Sequence, residues 1–242
     1  MNKAKTHYTI RRMHRYLGVL LGIQFLLWTV GGLYFSWTKI DEIRGDNMRR
    51  KTPLLSATLP LVSPQTALIE LQQSKKIDSI EAFQVVDILG KPVYQITYTA
   101  QKQKHAQLAD AITGQLRDPL SKDEAVAIAQ HFFIEPSEVE QVEYLTTTNG
   151  HHEYREKPLP AYAVRLKHSS NTTVYVAAEL GTVQSFRNDK WRIFDFLWML
   201  HVMDFENRDD MNNWLLRAFS AFGLLTIFSG FALFFVSAKW SK

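Results

Sequence analysis

The chain has 242 residues and no cysteine, which excludes disulfides, cysteine-ligated zinc or iron–sulfur centres, and thiol catalysis. Its net charge of +4 does not signal nucleic acid, because the ends supply it. Residues 1–15 hold five basic residues and no acid, residues 239–242 hold two more basic residues, and residues 39–217 are net −3 (28 − 5 − 2 = 21 basic against 24 acidic). A nucleic-acid patch belongs on the folded domain, so nucleic acid is not expected as a partner.

In chain order, residues 1–15 form a basic tail with Lys3, Lys5, Arg11, Arg12 and Arg15. Residues 16–38, YLGVLLGIQFLLWTVGGLYFSWT, carry no charge. A helix rises about 1.5 Å per residue, so about 20 apolar residues cross a hydrocarbon core of about 30 Å. The spacing therefore predicts a transmembrane helix over 16–38. The run exceeds the roughly 7–15 residues of a signal-peptide core and no A-x-A site follows it, so an uncleaved anchor is expected. A second such helix is expected over 214–238, where 218–238 is uncharged, followed by the short tail 239–242 with Lys239 and Lys242. Basic flanks stay on the cytoplasmic side. Both termini are then cytoplasmic at a bacterial inner membrane, the lipid bilayer is one partner, and the middle of the chain is periplasmic.

Residues 39–62 read as a linker. Two similar segments follow, 63–118 and 119–187. Ser63-Pro64 opens the first with an N-cap and a proline at the first helical position. Ser121 and Glu124 open the second with a capping-box pattern, and Ala125, Ile128, Ala129 and Phe132 recur at helical spacing. After each helix come alternating strands: Tyr94, Ile96 and Tyr98 share one face, and Tyr162, Val164 and Leu166 share another. Pro92 precedes Gly114 by 22 residues and Pro160 precedes Gly181 by 21, each glycine marking a turn that calls for positive φ. Each segment is thus a helix on a small antiparallel sheet, an α+β domain held between two transmembrane helices. Residues 147–159 read as a polar, solvated loop inserted in the second segment, its His151-His152-Glu153 included.

The order Ser121, Glu124, Ala125, Ala129, then Tyr162 and Val164, then Tyr175, Val176, Gly181 and Val183 resembles the PepSY domain. The first segment fits at Ala109-Asp110-Ala111-Ile112-Thr113-Gly114. Arg11-Arg12-Met13-His14-Arg15-Tyr16-Leu17-Gly18 is similar to the start of the PepSY-associated transmembrane segment. An acid often follows Tyr-Val in the family; the first segment keeps Asp110 and the second has Ala177. The resemblance implies two kinds of function. Some PepSY domains are extracytoplasmic modules that restrain or assist peptidases. Some multi-pass PepSY proteins resemble haem-bearing reductases for iron–siderophore complexes, where imidazoles hold b-type haem.

Of the eight histidines, neither uncharged core contains one. His14 is expected at the cytoplasmic edge of the first helix and His201 in the aromatic segment 188–213 on the outer side. They are too far apart to ligate one iron in one chain, so haem b through them would need a homodimer or another membrane or periplasmic partner. His7, His105, His131 and His168 read as surface residues, and Glu135, Glu138, Glu140 and Glu143 as a solvated surface. Trp191–Phe205, too short to span, is expected to lie at the outer interface. Gly18, Gly22, Gly223 and Gly230 offer notches for helix packing within or between chains, and Gln24, the only amide in either core, is expected to face a helix partner. With no hydrolase, zincin or phosphate-loop motif, the expectation is a non-catalytic periplasmic binding or regulatory module. The alternative is a haem-binding electron-transfer accessory of a system like the ferric-siderophore reductases.

Overall fold

Both cap signals start helices in the structure, a computed structural model that describes residues 3–237, with side chains for residues 8–235. The side chains of Lys3, Lys5 and His7 and the tail 239–242 lie outside the described residues. The chain divides into two units, residues 40–191 and the two flanking segments.

α1 is Lys3–Trp37 and α2 is the short helix Ile40–Arg44. In the central unit, Ser63 Oγ accepts from Gln65 N–H at 3.3 Å and Pro64 begins helix α3, Pro64–Ser74. Strands β1 (Ser79–Ile88), β2 (Lys91–Ala100), β3 (Gln103–Asp110) and β4 (Leu116–Arg117) follow as an antiparallel meander in sequential order. Tyr94, Ile96 and Tyr98 of β2 bury one face against Ala67 and Leu71 of α3. The second half repeats the plan. Ser121 and Glu124 form a full capping box on α4, Lys122–Phe132, and β5 (Val139–Leu145), β6 (Ala161–Leu166), β7 (Thr173–Ala177) and β8 (Thr182–Arg187) make the second meander.

The repetition extends to individual hydrogen bonds. The residue before each helix cap donates its N–H to an alanine carbonyl beyond the third strand: Val62 to Ala111 at 3.0 Å, Leu120 to Ala178 at 2.9 Å. Those alanines donate in turn to Pro92 and Pro160, at 3.2 and 2.9 Å. Gly114 N–H bonds to Asp110 and Gly181 N–H to Ala177, at 2.8 and 2.9 Å, with φ of +81° and +68°. At Gly114 a Cβ would lie 2.7 Å from Thr66 Cγ2, so conformation and space both require glycine there.

One core joins the halves. Ile88, Val93 and Leu108 of the first sheet share a cluster with Ile128 and Phe132 of α4 and with Val164, Val174, Val176 and Phe186 of the second sheet. β2 is thus buried on both faces, Tyr94 towards α3 and Val93 towards the second half. The segment read as a linker is structured at its start. α2, Ile40–Arg44, and a 3-10 turn at Asp46–Met48 carry Met48 into the shared core, and Arg50 and Ile134 donate to Phe132 and Met48 carbonyls at 2.7 and 2.9 Å.

The inserted loop departs from the expected solvated segment. Tyr154 is fully buried, stacks on Tyr175 with centroids 4.8 Å apart, and donates its hydroxyl to Pro158 O at 2.7 Å. With Leu159 it covers Ala161, Ala163 and Tyr175, the sheet face that α4 does not cover. A lone aromatic in a polar run finds an apolar sheet face only once β6 and β7 have paired, which residue order alone does not display.

The flanking unit is helical: α1 (Lys3–Trp37), most of α5 (Asp189–Val202) and α6 (Trp214–Ser237). Phe25 faces Gly223 and His14 faces Gly230, so α1 and α6 run antiparallel.

Tyr154→Ala is expected to lower stability by about 3–5 kcal/mol through the cavity it leaves. Tyr154→Phe removes one hydrogen bond and should cost about 1 kcal/mol. Urea unfolding followed by circular dichroism checks both; an alanine variant as stable as the parent would show that the loop is not anchored.

Candidate functional site

The three helices of the flanking unit carry the two histidines singled out in the sequence. On α1 an inward stripe at helical spacing holds His14, Leu21, Gln24, Trp28, Gly31 and Phe35. His14 Nδ1 lies 2.8 Å from Ser229 Oγ, and Ser229 is buried. The Ser229 hydroxyl donates to Thr226 O at 2.8 Å. Where the Ser229 hydroxyl spends its one proton on Thr226 O, it accepts from His14 Nδ1–H. His14, two residues before the first uncharged run, faces Ser229, midway along the apolar run 218–238, so α1 and α6 are offset rather than aligned at the ends of their uncharged runs.

His201 sits in an aromatic enclosure. Trp198 stacks on it at 5.9 Å and 13°, with Trp28 at 5.6 Å and Phe35 edge-on at 6.2 Å. Its backbone carbonyl accepts from Trp28 Nε1 at 3.0 Å, while the preceding carbonyl, Leu200 O, accepts from Gln24 Nε2 at 2.8 Å. His201 Nδ1 is buried and has no hydrogen-bond partner among the described residues. A buried polar atom of this kind is costly unless something bonds it. Phe194 packs on Phe35 at 4.9 Å and Leu197 lies against Gly31, so α5 runs along the second half of the first apolar run.

The structure does not bring the two histidines together. Trp28, which touches His201, is 14 residues beyond His14 on α1, about 21 Å along the axis at 1.5 Å per residue. Among the described residues no group of three or more histidine or carboxylate side chains is arranged to hold a metal ion. Of the four glycines, Gly223 and Gly230 face α1: an added Cβ would stand 3.4 Å from Phe25 and from His14. At Gly18 and Gly22 it would meet nothing within 4 Å among the described residues.

The turn between α5 and α6 is fixed by two buried acids. Asp195 pairs with Arg208. Asp204 accepts N–H bonds from Glu206 and Asn207 at 3.1 Å and from Asp210 at 2.9 Å. Burial pushes its carboxyl up, but the donated N–H groups of Asn207, Asp210 and Glu206 outweigh that and hold it below the usual range.

Sequence reasoning missed His168. It is not a plain surface residue: Ser170 N–H donates to its Nδ1 at 3.2 Å, and Nε2 bonds Glu135 Oε2 at 3.1 Å. Ser170 Oγ, 2.7 Å from the same Nδ1, is shared with Thr172 Oγ1 at 2.7 Å. The hydroxyl is thus held within the β6–β7 turn, and the set locks that turn. Glu138 and Glu140 pair with Lys167 and Arg165 across the sheet. His105 stacks on Tyr98, His131 meets Phe132 edge-on, and His152 Nδ1 accepts from Tyr154 N–H at 3.0 Å.

No model of a known protein family, no curated protein and no solved structure matches the chain.

The depressed Asp204 carboxyl contributes stability that is complete above the ordinary aspartate range and is lost as pH falls through its lower folded value. Acid should therefore loosen the α5–α6 turn, seen as a change in tryptophan fluorescence. In Asp204→Asn the acid-dependent part of that change should shrink; an unchanged acid profile would contradict the assignment.

Proposed function

We propose that α1 and α6 anchor the chain in a bacterial inner membrane, both ends cytoplasmic, and that the central unit is a PepSY-like, non-catalytic binding or regulatory module on the periplasmic side. The observation that carries the anchoring is the outward face of the helices. Their most apolar windows are only 11% and 6% buried, whereas the core helix of a water-soluble protein is mostly buried. Val19, Leu20, Ile23 and Leu26 on α1 and Leu224, Ile227, Phe228 and Phe231 on α6 are each half or more exposed. Moving each from water to hydrocarbon is worth up to roughly 1.5–3 kcal/mol. Eight together rival the whole stability of a domain, about 5–15 kcal/mol. The basic residues before residue 16 and after 238 support the orientation.

A binding role is supported by the open edge of the first sheet. β4 pairs only with Leu108 and Ala109, so β3 from Gln103 to Gln107 pairs with β2 on one side and has no neighbouring strand on the other. Beside it lies a cavity of about 470 Å³ lined by Gln95, Thr97, His105, Pro158, Pro160 and Leu180. An open strand edge next to a cavity suits an extended polypeptide, which adds a strand and places side chains in the pocket.

The second reading, a haem-binding accessory, is favoured by His14. Its Nδ1 is engaged by Ser229, which would leave Nε2 to ligate iron, the arrangement in which a second group orients a ligating histidine. A second chain would supply the other imidazole, with Gly18 and Gly22 as the contact between chains.

Because the chain has no cysteine, single introduced thiols report topology. Ser56→Cys should react with a membrane-impermeant maleimide in spheroplasts and Ser241→Cys only after lysis; the reverse pattern refutes the orientation. A photocrosslinker at His105 should trap a periplasmic polypeptide that one at Glu70, on α3, does not; equal trapping at both refutes the edge site. Visible spectra of protein purified from haem-supplied cells test the second reading. A Soret band lost in His14→Ala supports it, and a colourless protein at good yield refutes it.

A further inference from the structure

The central unit is net acidic by sequence, yet cations collect in one cleft along β8, the edge strand of the second sheet. The cavity, about 350 Å³, is lined by Arg44, Arg49, Lys157, Arg187, Ser185 and Trp191, with Asp46 as the one acid on its wall. Its lining thus carries four cationic side chains and one carboxylate.

Gly45, with φ of +75°, lets the chain reverse directly over Phe186, where a Cβ would come within 2.8 Å of the ring-bearing carbon. Arg44 and Arg49, on either side of that reversal in sequence, both line the cavity. Arg187 is held in place: its guanidinium lies 4.1 Å over the Trp191 ring, Nε donates to Glu153 O at 2.9 Å and Nη1 to Phe186 O at 3.2 Å. Arg49 donates to Val183 O at 3.4 Å and lies 6.0 Å from the Phe186 ring. Among the described residues neither Arg44 nor Lys157 makes an ion pair. Ser185 lines the same cavity, is 8% exposed, and its Oγ has no hydrogen-bond partner among the described residues.

Like charges gathered around an unsatisfied buried hydroxyl are unfavourable without an anion between them. We propose that this cleft binds a phosphate-bearing anion. Arg187 and Arg49 spend donors on backbone carbonyls, but Arg44, Lys157 and the Ser185 hydroxyl still offer more donors than the two oxygens of Asp46 can accept. A tetrahedral phosphate group presents enough oxygens, and arginine forks match its geometry. The source is either a soluble phosphate compound or an anionic lipid headgroup. The site follows from the central unit alone and does not depend on the membrane proposal.

Full-length protein in dodecyl maltoside micelles, which carry no phosphate, is titrated calorimetrically with inorganic phosphate and separately with dihexanoyl phosphatidylglycerol, with acetate as the control anion. Saturable binding of one or both phosphate probes, at least tenfold tighter than acetate, is expected. Phosphate binding assigns the soluble source, and phosphatidylglycerol binding without inorganic phosphate binding assigns the headgroup. The double variant Arg44→Gln with Lys157→Gln changes two exposed side chains outside the core and should weaken binding at least tenfold with unchanged circular dichroism. Ser185→Ala should weaken it several-fold. Binding of neither probe, equal binding of acetate, or undiminished binding in the double variant would overturn the proposal.

Discussion

Everything in the flanking unit depends on where the outward faces of α1 and α6 go. The two helices bury a narrow seam against each other and against α5: Leu21 and Gln24 on one side, Gly223 and Ser229 on the other. Outside that seam both surfaces expose many large aliphatic and aromatic side chains over residues 16–37 and 214–235. Water offers no stable home for such faces, while hydrocarbon does, provided that every polar group in the seam is satisfied. Gln24 answers that demand with Leu200 O, Trp28 with His201 O, and Ser229 with His14 and Thr226. His201 Nδ1 stands outside this accounting, a buried nitrogen without a partner among the described residues.

The central unit solves a different problem. A single helix on a four-stranded sheet leaves the second sheet face bare, and an isolated small domain buries too little surface to be robust. Two copies of the plan cover one another: Val93 and Leu108 of the first sheet join Val164 and Val176 of the second in one core, while Tyr154 closes the face left over. The paired hydrogen bonds at Val62 and Leu120, Ala111 and Ala178, and Gly114 and Gly181 show the same local geometry at both sites. Asp110 marks where the copies diverge. Its carboxylate accepts from Ile112 and Thr113 N–H at 2.8 Å and is held below the usual range by those bonds, chiefly that of Thr113. Ala177 has no such group, so its turn is held by backbone and packing.

Much of this was legible in residue order because it is local. Helix caps at Ser63 and Ser121, glycine turns at 114 and 181, alternation in β2 and long uncharged runs at both ends are all short-range signals. The site was much less legible. The offset that sets His14 beside Ser229 depends on how two helices pack, and uncharged run ends do not encode that. His201 was visible as a residue but its enclosure by Trp28 and Phe35 joins positions more than 160 residues apart. The cationic cleft draws on residues 44–49, 157 and 184–191, and no window of sequence contains them. Tyr154 and His168 looked solvated because their partners, Tyr175 and Glu135, are reached only after the sheet forms.

The central claim is that α1 and α6 meet lipid rather than protein or water. Alkaline carbonate extraction of bacterial membranes containing the chain tests it most directly, since it strips peripheral proteins and leaves those held by spanning helices. Retention of the full-length chain in the membrane pellet, with release only by detergent, is the result predicted. Recovery in the carbonate supernatant as a soluble, folded protein would contradict the account.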